Sequence, residues 1–471
     1  MPGSISISQL REVFGVRGDC SRFCGQHTAK SDGKPAQSKR FAIPCPEIHV
    51  ARYLTVAKLA RAALEGGLTS SAFWLTELAI SAEQKNNMSS IAFSFPTTTV
   101  FGPGSLFELP ERIGGLRMRR SLVVTDAGLL QTTAFQSLAS VLGKSGQDVG
   151  WFVYSGVHAN PVENDVREAA ALFRERNCDS VIALGGGSAL DVGKAARLLI
   201  KRPDFKLDHF YDEPDWSGLA PFIAIPTTAG TGSEVGRSSV ITLEGTQRKA
   251  VLFHPELLAK LVILDAELTT GLPAKLTAAT GADALTHCIE SYTCPVFHPM
   301  CDGIALEGVR LIVEALPRAY RDGKDVDARG KMLVAAAMGA VAFQKDLGVV
   351  HSLAHPLSTL CHMHHGLANA LCLVAGMKFC ASRKAGLYRR IGLACGLDLV
   401  KGKDSEADQL TISFIAEFLA GLGLNTKLRE HGVKPDQLDA LVAQAVDDPC
   451  HKTNAVPVTR EDLRNLYLEV L

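Results

Sequence analysis

Acidic and histidine side chains stand at helical spacing in the second half of the sequence. Asp283 and His287 are four residues apart in TGADALTHCIESYT, and His351 and His355 repeat that spacing in VVHSLAHPLS. Residues four apart lie on one face of a helix, one turn from each other. His365 follows in HMHHGLANAL. One carboxylate and three neutral imidazoles from such a set can hold a divalent transition metal, so we predict a metal site here.

Two other interpretations of these side chains stay open at this point. A histidine on an apolar helix face is usually a hydrogen-bonded core residue. We assign His362 and His364 to that class, because one turn cannot aim every neighbour at a single ion. The second alternative is a zinc hydrolase, which uses the same types of ligand. The HExxH motif of such enzymes is absent from the sequence.

A glycine-rich loop, residues 185–191 with the sequence GGGSALD, follows the apolar run VIAL and opens the helical segment DVGKAARLL. Glycines let the backbone approach a pyrophosphate, and a helix N-terminus offers free N–H groups and a positive dipole. The spacing differs from the Rossmann GxGxxG pattern. The alternative is an ordinary tight turn between a strand and a helix.

A second polar loop, residues 226–234 with the sequence PTTAGTGSE, also follows an apolar strand. Its hydroxyls suit hydrogen bonds to phosphate, ribose or nicotinamide, although a helix-capping loop is the alternative. Two such loops at the carboxyl ends of strands predict one nucleotide crevice. Asp126 ends an earlier strand, where its carboxylate would accept hydrogen bonds from a ribose and repel a 2′-phosphate. We therefore predict NAD rather than NADP, with a turn aspartate as the alternative.

The elements around these loops alternate between strands and helices. Strands are predicted at 121–125, 149–154, 180–184 and 221–226, with helices at 130–145 and 166–176 between them. Such alternation is typical of a doubly wound parallel sheet. After residue 273, long Ala- and Leu-rich segments of helical period dominate. We predict an N-terminal extension over 1–87, an α/β NAD-binding domain over 88–270 and an all-helical metal-binding domain over 271–471.

Composition narrows the class of protein further. Forty-nine acidic residues balance 49 Lys plus Arg, so no charge excess indicates nucleic acid or an anionic membrane as a partner. No apolar run reaches the roughly 18 residues that span a bilayer. The 12 cysteines are scattered, which is typical of buried thiols in a reducing compartment. Cytoplasmic localisation is the expectation. Cys20 and Cys24 in the polar extension have no second pair nearby.

Five motifs together resemble the iron-containing alcohol dehydrogenase family. They are GGGSxxD, PTTAGTGSE, DALTHCIESY, HSLAHPL and HHGLANAL, and the resemblance covers about residues 95–471. It implies a dehydroquinate synthase-like fold, with a dinucleotide-binding α/β domain followed by a helical domain. It also implies Fe²⁺ as the metal, held by Asp283, His287, His351 and His365, while ligand chemistry alone permits Zn²⁺. His355 matches a position near the reacting centre, which makes it a proton-relay candidate.

The resemblance also assigns positions around NAD. By motif position, the residues implied to contact the cofactor are Asp126, Asn160, Gly186, Gly187, Ser188, Asp191, Thr227, Thr228, Thr231 and Lys249. The expected reaction is hydride transfer between NAD(H) and a primary alcohol or aldehyde. Members of the family are commonly dimers or larger, so a homo-oligomer is expected.

One segment departs from the family pattern. Where the family usually reads Asn-Pro-Arg near the C-terminus, this sequence reads CHKTNAVP over 450–457. Together with CDGIALEG and AFQKDLG, this segment resembles the branch that contains 4-hydroxybutyrate dehydrogenases. Lys452 could pair with a substrate carboxylate, or it could be a solvated surface lysine. A zinc-dependent polyol dehydrogenase and an NAD-using lyase are the alternatives on the same fold.

Overall fold

The computed structural model describes residues 97–144, 150–213, 215–245 and 248–471. The predicted extension, with Cys20 and Cys24, lies outside the described residues. The first half of the described chain is α/β, and its elements in chain order are β1 (Thr98–Phe101), α1 (Leu109–Gly115), β2 (Arg120–Val124), α2 (Thr133–Gly143), β3 (Gly150–Tyr154), α3 (Glu163–Glu175), β4 (Ser180–Gly185), α4 (Gly187–Lys201), β5 (Phe222–Pro226), β6 (Ser238–Leu243), β7 (Arg248–Phe253) and β8 (Leu261–Leu264).

Six of these strands form one parallel sheet, in the order β1-β8-β5-β4-β2-β3. Every residue of β4, β5 and β8 is buried, whereas the edge strand β1 is largely exposed. Central strands of a parallel sheet are apolar on both faces because helices cover both. This confirms the predicted doubly wound sheet.

Alternate residues of the strands enter two separate cores. Val123 of β2 and Ile182 of β4 pack with α1 and α2 on one face of the sheet. Their neighbours Leu122 and Val181 pack with α3 and α4 on the other face. The period of two along a strand thus gives both faces of the sheet an apolar surface that helices cover. Because the strands are parallel, their carboxyl ends and the polar loops that follow them lie at one edge of the sheet.

An antiparallel hairpin of β6 and β7 stands apart from the main sheet. Ser239 donates from its hydroxyl to the backbone oxygen of Asp191 in α4. The hairpin therefore packs beside the N-terminal half of α4, close to the glycine-rich loop.

The remainder of the described chain is helical. Its elements are α5 (Ala274–Thr293), α6 (Pro299–Arg321), α7 (Val326–Ala342), α8 (Val349–Leu360), α9 (His365–Arg383), α10 (Arg389–Ala394), α11 (Asp404–Gly421), α12 (Leu438–Asp447) and α13 (Arg460–Val470). One apolar core joins these helices. Among the described residues, no single helix is both long enough and apolar enough to cross a bilayer. The sharply bent pair Val326–Lys345 and Val349–Leu360 passes this test when taken together, by length and composition alone.

Candidate active site

Helix α5 is the central helix of the predicted metal site. It is buried continuously from Thr277 to Ser291, because neighbouring helices pack around it. Asp283, His287 and Glu290 follow one another at intervals of four and three residues, so they share one face. Buried ionisable groups need polar partners. The partners of this face come from α8 and α9.

The structure places three of the four predicted metal ligands in one cluster and the fourth, His287, beside Asp283. Ligand atoms of Asp283, His351 and His365 lie within 4.8 Å of one another. The Asp283 carboxylate is 3.5 Å from His365 Nε2 and 3.9 Å from His287 Nε2. Neighbouring ligands of a tetrahedral ion with bonds of about 2.0–2.3 Å are separated by about 3.3–3.8 Å. The contacts of 3.5 Å and 3.9 Å are close to this range, and a donor set of imidazoles and one carboxylate suits a divalent transition ion.

Asn369 is a polar residue at the centre of this cluster that the sequence analysis did not identify. Its Nδ2 lies 2.7 Å from Asp283 Oδ1, 3.1 Å from His351 Nε2 and 3.2 Å from His365 Nε2. One amide nitrogen is thus in hydrogen-bonding range of three ligand atoms, so these atoms surround a common point. Asn369 follows His365 by four residues on α9, so helical spacing was an available signal.

Glu290 positions His351 and also caps the helix that carries it. His351 Nδ1 donates to Glu290 Oε2 at 2.6 Å, and the backbone N–H of Val350 donates to Oε1 at 2.7 Å. Asn454 Oδ1 accepts from Val349 N at 3.1 Å. A carboxylate can only accept, so the His351 proton resides on Nδ1 and the Nε2 lone pair is free for a metal. The sequence analysis missed this role of Glu290.

The protonation of the cluster suits metal binding. Burial lowers the pKa of His287 to about 4, although the Asp283 carboxylate opposes this shift. Burial likewise lowers the pKa of His365, and the neighbouring histidines lower it further. In His351, burial lowers the pKa, but the hydrogen-bonded Glu290 carboxylate outweighs it and raises the pKa overall. Two imidazoles are therefore neutral near pH 7, which is the form that binds a metal.

We expect Glu290→Gln to weaken metal binding by about 10–100-fold, as loss of a ligand's hydrogen-bond partner typically does. The amide is a poorer acceptor for His351 Nδ1–H and carries no charge at the N-terminus of α8. The dissociation constant, measured in competition with a chelator, tests this. The control is Glu314→Gln on α6, which alters a surface ion pair with Lys331 of α7. Equal metal affinity in both variants would contradict the assigned role.

His355 lies beside the cluster and is paired with Asp448. Its Nδ1 donates to Asp448 Oδ2 at 2.7 Å, and its ring stacks on that of His365 with centroids 5.3 Å apart. Burial would raise the pKa of Asp448, but His355 and the hydrogen bonds from Cys450 N and Ser352 Oγ lower it overall. The His355 side chain is 23% exposed. His355 therefore contacts a ring of the metal cluster and keeps part of its own surface exposed. The sequence analysis missed Asp448, which lies 93 residues from His355.

The two polar loops pack directly against each other at the carboxyl edge of the sheet. A Cβ at Gly187 would lie 2.6 Å from Thr231 Cγ2, so only glycine permits this approach. Thr228 Oγ1 lies 3.4 Å from the corresponding position at Gly186. Thr227 continues β5 and donates its N–H to Gly185 O at 2.9 Å. Helix α4 begins at Gly187, so its first free N–H groups face this junction.

Three further predicted cofactor residues lie along the same edge. Ser188 donates from its hydroxyl to Ala159 O at 2.6 Å, which ties the glycine-rich loop to the segment that carries Asn160. Asp126 follows β2, and its Oδ1 accepts from Leu129 N at 3.1 Å. Its Oδ2 is 3.9 Å from the Cβ position of Gly185. The crevice edge thus gathers the predicted residues from four strand ends.

Asp191 faces away from the loop that precedes it. Its carboxylate accepts from Ser233 Oγ at 2.6 Å and from Val240 N at 3.1 Å, and Lys194 Nζ is 3.8 Å away. These contacts attach α4 to the hydroxyl loop and to β6. Asp191 therefore helps to hold the hydroxyl loop, residues 226–234, in place.

Lys249 lies on β7 of the hairpin, opposite Thr242 of β6. Burial lowers its pKa to about 8, while the carboxylates of Asp191 and Asp283 oppose that shift. Lys452 is exposed on the short 3₁₀ helix Cys450–Thr453. His362 and His364 are exposed as well, so their assignment to the core was wrong.

Two family models match consecutive parts of the chain. The model described as iron-containing alcohol dehydrogenase matches residues 96–266, and that of the C-terminal part of the same family matches residues 277–471. Together they cover both the α/β and the helical parts, and both parts of the candidate site.

Individual relatives agree with the family models. A 4-hydroxybutyrate dehydrogenase of Cupriavidus necator is 39% identical over 385 residues, which is 78% of this chain and 95% of the relative. An NAD-dependent methanol dehydrogenase of Bacillus methanolicus is 30% identical and covers 80% and 99%. The solved alcohol dehydrogenase from Oenococcus oeni superposes with a TM-score of 0.77 at 30% identity, covering 81% of this chain and all of that structure. The chain therefore belongs to the iron-containing alcohol dehydrogenase family and is an NAD-dependent oxidoreductase of alcohols.

Proposed function

We propose that this dehydrogenase interconverts a primary alcohol that carries a distal carboxylate, of the 4-hydroxybutyrate type, and the corresponding aldehyde. In this proposal Asp283, His287, His351 and His365 hold Fe²⁺. The observation that carries it is the cluster of Asp283, His351 and His365, with His287 next to Asp283 on the same helix face. The relative named as a 4-hydroxybutyrate dehydrogenase supports the substrate class.

The nucleotide loops and the metal cluster are neighbours, as hydride transfer requires. The position of a Cβ at Gly230 is 2.8 Å from Thr280 Cβ, so the hydroxyl loop contacts α5 one turn before Asp283. We assign the crevice of Asp126, Asn160, Ser188 and the hydroxyl loop to NAD. A nicotinamide ring that extends along this loop would reach the cluster. The protein's part is then to align the two reacting carbons.

The chemistry divides between the bound groups and the side chains. Fe²⁺ supplies Lewis-acid polarisation of the substrate oxygen, and NAD supplies the hydride acceptor. His355 takes the hydroxyl proton, directly or through water, at Nε2 and passes it to solvent. Asp448 holds the proton on Nδ1 and thereby keeps Nε2 available as a base.

We expect His355→Gln to retain the metal and to lower kcat for alcohol oxidation by about 100-fold, because general base catalysis contributes at least that much. The pH dependence of kcat should change as well. Metal content and pH–rate profiles of the purified variant test both points. His209→Gln, at an exposed histidine of the α/β part, is the control. An unchanged pH–rate profile in His355→Gln would remove His355 from the proton path.

The distal carboxylate is assigned to the segment of residues 450–457. Lys452 lies there with an exposed side chain, on the 3₁₀ helix whose Cys450 N–H binds Asp448. We expect the wild-type enzyme to prefer 4-hydroxybutyrate over 1-butanol in kcat/KM. We also expect Lys452→Met to raise KM for 4-hydroxybutyrate by about 10-fold or more while leaving 1-butanol unaffected, since one charge-assisted pair contributes about 1.5–3 kcal/mol. Equal preference for the two substrates would overturn the carboxylate assignment.

We further propose that residues 88–270 and 271–471 are the two domains, and that the enzyme acts in the cytoplasm as a homodimer or larger homo-oligomer. Balanced charge and scattered cysteines support the cytoplasmic assignment. Light scattering of the purified protein after size exclusion tests the oligomeric state. A mass of one chain would overturn that part of the proposal.

A further inference from the structure

A second cluster of metal-ligating side chains lies beside the site already described. We propose that His355, Asp448 and Cys450 form a separate site for a thiophilic divalent ion such as Zn²⁺. Ligand atoms of these three residues lie within 4.8 Å of one another, and all three are partly exposed. Among the described residues, this cluster and the one around Asp283 are the two groups with such geometry.

The framework of the cluster is already in place. Asp448 Oδ1 accepts from Cys450 N at 2.9 Å and from Ser352 Oγ at 2.8 Å, which fixes the carboxylate between the other two groups. Tetrahedral zinc with nitrogen, oxygen and sulfur ligands needs separations of about 3.3–3.8 Å between ligand atoms. Closing a separation of 4.8 Å to that range takes about 1.0–1.5 Å, shared between two side chains, while the 2.7 Å contact of His355 with Asp448 must widen. Water can complete the coordination, because the cluster is open to solvent.

The donor types separate the two sites chemically. The cluster of Asp283 offers nitrogen and oxygen only, whereas the second offers a sulfur atom from Cys450. Soft thiolate ligands favour Zn²⁺ over Mg²⁺ and Ca²⁺. On binding, the Cys450 thiol gives up its proton to solvent and the sulfur lone pair forms the bond to the ion.

An ion in this second site should also lower the rate of alcohol oxidation. This expectation rests on the proposed function, in which His355 is the base. An ion that takes Asp448 and a ring nitrogen of His355 breaks the hydrogen bond between them. His355 then loses the arrangement that makes it a base. The second ion should therefore inhibit alcohol oxidation without removing iron from the first site. Binding itself does not depend on this role.

Titration of the iron-loaded full-length protein with Co²⁺ tests the site through a signal other than activity. Cobalt bound to a thiolate shows sulfur-to-metal charge transfer in the near ultraviolet, and the first site contains no sulfur. We expect this absorption to appear and to saturate at about one added equivalent. Cys450→Ser should abolish it. Cys20→Ser/Cys24→Ser, which removes the cysteine pair of the extension, should retain it.

The outcomes are distinct for binding and for function. Absence of the charge-transfer band in the wild-type protein, or its persistence in Cys450→Ser, overturns the second site, and the wild-type result needs no variant to fold. A normal band in a protein that oxidises no alcohol would sink the proposed function and leave the site intact. Zn²⁺ inhibition that is at least about 10-fold weaker in Cys450→Ser, at constant iron content, would support the inhibitory role.

Discussion

His287→Ala should yield a folded protein that fails to retain iron and loses more than about 100-fold in kcat/KM for alcohol oxidation. The expected loss exceeds that for outer-shell residues, which is about 10–100-fold, because a ligand itself is removed. The His287 ring also packs against Phe343 and His351, with centroids 5.2 Å and 4.8 Å away. The substitution therefore leaves a cavity, at a cost to folding of about 2–5 kcal/mol.

Packing and ligation can be separated with a matched variant on the same helix. Thr286 precedes His287, is fully buried and donates from its hydroxyl to Ala282 O. Thr286→Ala removes buried atoms at the adjacent position without removing a ligand. We expect it to keep its iron. Iron content by elemental analysis, together with circular dichroism and steady-state rates, distinguishes the two variants. A fully active, iron-free His287→Ala would contradict the proposed metal chemistry.

Local periodicity explains why the strands and helices of the α/β part could be predicted. The strand predicted at 180–184 is Ser180–Gly185 in the structure, and the helix predicted at 166–176 is Glu163–Glu175. The hairpin of β6 and β7 was not predicted. Burial alternates along β6, but the hairpin packs against the flank of α4 and, through Thr242, against the segment that precedes α3. No short-range signal specifies that packing.

The residues of the site divide in the same way, into those that local spacing identifies and those that only the fold brings together. Asp283 and His287 could be identified because their spacing is a property of one helix. Glu290 and Asn369 were available by the same rule, three and four residues beyond a ligand, but neither carries a motif of its own. Asp448 could not be found this way, since its contact with His355 spans 93 residues. The cofactor role of Asp191 stays a prediction, and its contacts with Ser233 and Val240 could not be foreseen because the second depends on the unpredicted hairpin.

Gly366→Ala should destabilise the protein and weaken metal binding together. Gly366 follows His365 at the start of α9, and a Cβ there would lie 2.2 Å from Ala279 O and 3.1 Å from Asp283 Cβ. The first of these contacts is to backbone, which cannot rotate away. Helix α9 must then move from α5, and the 3.5 Å separation of His365 from Asp283 increases. Overpacking of this kind costs about 1–3 kcal/mol.

Gly303→Ala on α6 is the matched control, because a Cβ at Gly303 meets no atom within 4 Å. In a helix with open space, alanine should stabilise by about 0.5–1 kcal/mol, so the two substitutions have opposite expected signs. Denaturant unfolding measured with and without bound metal tests both effects, since the ligand adds stability according to its affinity for the folded state. In Gly366→Ala the metal-dependent part should shrink along with the total. Loss of stability with undiminished metal affinity would show that α9 can shift without moving His365, and that the close contact with α5 serves packing alone.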